Sequence, residues 1–164
     1  MNKKLLLIAG AAITSAGVYS ASVIAAQGTG QATANIVEAI TIAPAATLAF
    51  GDIVGGTAGT VILDTANGVT GTLTSTGTRT SGTFDVDGED GKTFSITLPA
   101  SATITDTVST DTMTVNAFTD SEGGTGTIPA GTAITIGIGA TLNVLGTETA
   151  GSYTGTYNVD VDYN

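Results

Sequence analysis

Apolar and polar residues alternate along this chain, and helical spacing organises none of it beyond the N-terminal region. Phe84 and Val86 alternate with Asp85 and Asp87, and Phe94, Ile96 and Leu98 alternate with Thr93, Ser95 and Thr97. Successive side chains of a strand point to opposite faces, so each run predicts a half-buried strand. Between them Asp87–Gly91 predicts a turn, making a hairpin with an acidic tip that Pro99 ends. Met113, Val115 and Ala117 share one face of a further strand. Ile134, Ile136 and Ile138 share another, and after Gly139-Ala140 the pattern resumes at Leu142 and Val144. That spacing predicts one long strand, bent or bulged at the glycine. Near the end of the sequence Tyr153, Tyr157, Val159, Val161 and Tyr163 fall at odd positions, with polar residues between them. They predict a half-buried strand with no later segment to pair its far edge.

The earlier segments are less regular. Ala32 to Ile42 reads as extended, with Ala34, Ile36, Ile40 and Ile42 on one face, Glu38 interrupting that face, and Pro44 ending the run. Leu48–Phe50 and Val61–Leu63 predict short, well-buried strands separated by the Gly55–Gly59 loop. Threonine is the commonest residue, with 33 of 164, and glycine follows with 23. Branched Cβ atoms favour strands and glycines favour turns. Many short strands joined by Gly-rich turns predict an all-β sandwich or barrel in a single domain. From Thr70 to Thr80 every second residue is threonine. A threonine ladder that binds ice or mineral would need a solenoid repeat of fixed length, and no internal period exists here. Solvent-facing threonines on strands are the expectation.

Residues 1–26 have the layout of a secretory signal peptide: Lys3 and Lys4, an apolar run from Leu5, then small residues up to Ala25-Ala26. An uncleaved anchor is the alternative, since the uncharged stretch is long enough to span a bilayer; the Gly, Ser and Thr residues within it favour cleavage. The expected domains are therefore a signal peptide, 1–26, and one β-domain, 27–164, whose residues 27–36 form an extended N-terminal segment. Export via the periplasm to the exterior or the cell surface is expected, with no membrane insertion after cleavage. The mature part has Arg79 and Lys92 against fourteen Asp and Glu, so its net charge is 2 − 14 = −12. Such a surface repels nucleic acid and anionic lipid. With no cysteine, no disulfide supports the fold.

No enzyme is expected. The chain lacks histidine and cysteine, which removes the commonest bases, thiolate nucleophiles and most transition-metal ligands. No cofactor is implied. One segment has the residue types of a cation site. Asp85, Asp87, Glu89 and Asp90 crowd the acidic tip, and calcium wants several oxygens from one turn. The EF-hand pattern fails, because its sixth position, which needs glycine, is Asp90, so a solvated turn is favoured there. What remains is the sheet as a device: an exposed edge beside an apolar groove can accept an extended segment of another chain.

Several motifs carry a family resemblance. Tyr163 is penultimate and Gly151 is fourteenth from the C-terminus, as is typical of subunits of chaperone–usher pili. Leu48-Ala-Phe50-Gly51, Gly59-Thr60-Val61, Ile128-Pro129-Ala130-Gly131 and Ala150-Gly151-Ser-Tyr153 resemble the archaic pilin branch and spore-coat-U-like domains. Phe50-Gly51, Gly59–Val61, Ile96–Pro99, Gly139–Leu142 and Ala150–Asn164 are together most similar to the family of small secreted bacterial proteins known as domain of unknown function 4402. The pilin resemblance implies an immunoglobulin-like antiparallel β-sandwich that lacks its last strand. It also implies a periplasmic chaperone filling the groove first, an outer-membrane usher, and replacement of the chaperone by the N-terminal extension of another subunit. On this chain Gly151, Tyr153, Tyr157, Val159, Val161 and Tyr163 would form the groove-edge strand, and Ala32, Ala34, Ile36 and Ile40 would be the donor residues. The partners would be other copies or related subunits. Unlike many pilins the chain has no cysteine pair, and a self-contained domain closed by its own first strand stays open. The leading expectation is a fibre subunit assembled by donor-strand complementation. A monomeric secreted binding module, for glycan or calcium, is the alternative.

Overall fold

A computed structural model describes residues 25–164; most of the predicted signal segment, residues 1–24, lies outside the described residues. Residues 25–35 form a unit apart, exposed and without strand. The unit from Ile36 to Asn164 holds thirteen strands. In order they are β1 (Thr41–Ala46), β2 (Asp52–Ile53), β3 (Gly59–Leu63), β4 (Val69–Gly71), β5 (Ser75–Thr76), β6 (Gly82–Asp87) and β7 (Thr93–Thr97). Then come β8 (Ser101–Asp106), β9 (Thr112–Asp120), β10 (Thr125–Thr127), β11 (Ile134–Val144), β12 (Tyr153–Thr154) and β13 (Asp160–Tyr163). The described residues contain no helix, and every pairing is antiparallel.

β11 is the spine. Its first half, Ile134–Ile138, pairs β6, and its second half, Ala140–Val144, pairs β3. β9 runs along the opposite side, and the large sheet is ordered β1-β6-β11-β9-β8-β12, with β4 added beyond β3. A small sheet, β10-β7-β13, packs over the Ile134 half. Between the two layers lie Val86, Phe94, Ile96, Ile128, Ile136, Ile138 and Val159. The Val144 half has a second core of Val61, Val115, Ala140, Leu142 and Val144, covered by Leu48, Phe50, Ile53, Val69 and Leu73. The fold is an antiparallel all-β sandwich. Its stability rests on apolar burial, at about 25 cal/mol per Å² removed from water.

Three local expectations are corrected. β6 and β7 form no hairpin: β6 lies in the large sheet and β7 in the small one. The apolar faces of these strands meet across the core, where Val86 and Phe94 are both fully buried, so residues 88–92 cross between layers. Pro44 does not end a strand but lies inside β1, paired with Phe84, with a register shift following it. β1 is the outermost strand of its sheet, where a residue without an N–H is tolerated. Ala117 does not share the inward face of Met113 and Val115; it is exposed at φ 49°, and Phe118 turns inward instead. Asn116 pairs Thr141 while Thr119 pairs Gly139, so Ala117 and Phe118 oppose Ala140 alone. This bulge falls where the glycine pattern of β11 predicted one, but the extra residue is on β9. It puts Phe118 against both cores. The threonines from 70 to 78 face solvent as expected, and Gly71 (φ 119°) and Gly77 (φ 72°) break the run into two strands of different sheets.

Candidate functional site

The segment from Gly151 to Tyr163 passes from one sheet to the other. β12 pairs Tyr153 with Asp106 on β8, at the far edge of the large sheet. The chain then leaves the ladder until β13, which pairs Asp160–Tyr163 with Thr97–Phe94 of β7. One continuous edge strand was expected, and two short ones form. Gly155 permits the departure, since a Cβ there would strike the Thr103 carbonyl. Tyr157, in the gap between the strands, stacks on Phe118 at 5.2 Å and meets Phe84 edge-on at 5.9 Å. Burial pushes its hydroxyl pKa up. Val159 is buried, while Val161 and Tyr163 are half-buried on the same core.

β13 pairs β7 alone, and β1 pairs β6 alone. Two strand edges, one per layer, therefore lie unpaired among the described residues on the same side of the sandwich. Between them the core is incompletely roofed: Ile42, Phe84, Tyr157 and Val161 all keep part of their surface in solvent. At one end the edges are tied together. The Tyr163 hydroxyl donates to the Glu38 carbonyl at 2.9 Å and accepts from the Glu89 N–H at 2.7 Å. The Glu38 N–H donates to Glu89 Oε2 at 3.1 Å, completing a ring of three hydrogen bonds. Gly88 lies beneath this hydroxyl, which occupies the place a Cβ would take.

Of the four donor candidates, Ala32, Ala34 and Ile36 are exposed and lie in no strand, with Ile36 at 94 %. Ile40 is set apart from them: it packs on the core of its own unit. The acidic-tip candidates do not converge. Asp85 accepts from the Thr135 hydroxyl, Asp87 from the Gly88 N–H, Glu89 from the Glu38 N–H and Asp90 from the Gly131 N–H. Among the described residues no three acidic side chains are placed to hold a metal ion.

Gly151 has a reason to be glycine that the pattern did not reveal. A Cβ there would coincide with the carboxylate of Asp106. Asp106 is only 4 % exposed, roofed by its own loop rather than by the core. Its Oδ2 accepts from the N–H groups of Ser109 at 2.6 Å and Val108 at 3.2 Å. Hydrogen bonding from Ser109 holds its pKa below the usual carboxylate range. The Thr149 hydroxyl does the same for Asp111. At Tyr153 burial, then the Asp111 and Asp106 charges, push the hydroxyl pKa up, and that hydroxyl donates to the Thr149 carbonyl at 2.7 Å. An aspartate followed three residues later by serine at the end of a strand is a turn signal that would have flagged Asp106.

Among the described residues no helix is long and apolar enough to cross a membrane. No curated protein matches the chain. The family model described as Domain of unknown function (DUF4402) matches residues 40–163, which takes in all thirteen strands and leaves out the arm before Ile40. The chain belongs to that family.

Proposed function

Starting from that family and from the open strand edges, we propose that the protein is a non-enzymatic subunit of an exported surface fibre, assembled by donor-strand complementation. The observation that carries this reading is the pairing of two features in one chain. One is β13, unpaired on its outer edge beside a partly roofed core. The other is the segment 27–36, extended by its pattern and paired with no strand. A segment laid along β13 would make backbone hydrogen bonds, and its alternate side chains would cover Ile42, Phe84, Tyr157 and Val161. Ala32, Ala34 and Ile36 supply that alternation; Ile40, used in its own core, is left out of the donor set. The partners are further copies or related subunits, preceded in the periplasm by a chaperone and delivered through an usher.

Purified mature protein should form ladders on SDS gels that resist heating, and deletion of residues 27–36 should abolish them. Protein that stays monomeric with the segment present would overturn the reading, as would ladders that survive its deletion.

A further inference from the structure

Three loops adjoin at the Val144 end of the large sheet: residues 54–58, 107–111 and 145–149. A Cβ on Gly146 would lie 2.6 Å from the Ala58 nitrogen, so the third loop presses on the first. The Thr149 N–H donates to Asp111 at 2.8 Å, joining the third loop to the second. Each loop holds one large aliphatic side chain out to solvent: Val54 at 80 %, Val108 at 88 % and Leu145 at 69 %. Single exposed aliphatics are ordinary, but three on adjoining loops gather at one end of the sheet. The carboxylates here turn inward. Asp106 caps the N–H groups of Val108 and Ser109, Asp111 bonds Thr149, and Glu148 accepts from the N–H groups of Leu145 at 2.5 Å and Gly146 at 2.7 Å.

We infer that Val54, Val108 and Leu145 form a docking patch for a second copy of this chain, the one whose arm lies along β13; the inference rests on the donor-strand reading. Strand direction selects the occupant. β13 runs toward Tyr163, which is tied to Glu38 at the opposite end of the sandwich. Every pairing in this fold is antiparallel, and an arm added to β13 in that sense travels from Tyr163 toward Asp160. Its own domain then lies beyond the Asp160 end, which is the Val144 end of β11. The surface that domain presents is the one where its arm begins, and it carries exposed Val37, Pro129 and Ala130. Its Glu89 and Asp90 are occupied by the Glu38 and Gly131 N–H groups. Both ends thus hold aliphatic side chains out to solvent, and end-to-end contact between copies would bury them against each other.

The test compares ladder growth of the wild-type mature chain with that of a Val108→Asp, Leu145→Asp variant and of a milder Leu145→Ser variant. Monomer melting temperature is recorded for each. The arm and β13 are intact in all three, so strand exchange itself remains available. The inference expects unchanged melting, ladders that still resist heating, and growth slower by about tenfold for the double variant. The serine variant should fall between. Equal growth of wild type and both variants overturns the docking patch while leaving donor-strand assembly standing. Absence of a wild-type ladder overturns both. If the double variant melts early, the serine variant decides: equal growth counts against the patch and slower growth for it.

Discussion

At the scale of single residues, the tightest constraint is the place where Gly151 and Asp106 meet. The carboxylate fills the volume a side chain at 151 would need, and it is held there by loop N–H groups. Gly151→Ala must displace the Asp106 carboxylate and disturb its bonds to those donors, which destabilises the loop. Urea unfolding should register that loss. Gly28→Ala, at a position with open space around it, should leave the midpoint unchanged. Equal midpoints for the two variants would show that the loop tolerates a displaced carboxylate. Tyr163 fits the same logic. The sequence marks it only as an inward residue near the chain's end, whereas its hydroxyl ties the start of the domain to the crossing between layers.

At the scale of elements, the loops at the Val144 end depend on ionised carboxylates. The pKa values of Asp106 and Asp111 lie below the ordinary range because hydrogen bonds from Ser109 and Thr149 favour the charged form. The unfolded chain therefore takes up protons at a higher pH than the folded one. The stabilisation is complete above about pH 4 and is lost as pH falls below that, toward the folded values. Melting temperature should be level near neutrality and drop below about pH 4, and Asp111→Asn should make the acid limb shallower. An unchanged limb would place the acid sensitivity elsewhere. The elements themselves were largely legible from alternation: β6, β7, β9, β11 and β13 fall where apolar residues recur every second position. Their partners were not. A period of two says which residues face inward, but it does not say whether two neighbouring strands share a sheet or face each other across a core. The bulge at Ala117-Phe118 was hidden for a related reason, because an inserted residue resets the period without any change of composition.

At the scale of the whole molecule, the pairings are long in sequence. Val61 pairs Leu142, Ile42 pairs Val86, and Phe94 pairs Tyr163, 69 residues further on. Closing such loops costs entropy before any contact repays it, so refolding from urea should take milliseconds to seconds. Stopped-flow fluorescence of the tyrosines would measure it; microsecond refolding would mean the local turns direct the fold after all. The crossing between β6 and β7 then has a consequence for the order of events. Because β7 is carried away from β6 into the other layer, its apolar face, Phe94 and Ile96, has no neighbouring strand nearby in sequence to cover its C-terminal flank. A chain emerging in order from N- to C-terminus exposes that flank for the time needed to deliver more than sixty further residues. The small sheet is thus the last part of the fold to close, and β7 is the strand left uncovered longest, until β13 arrives.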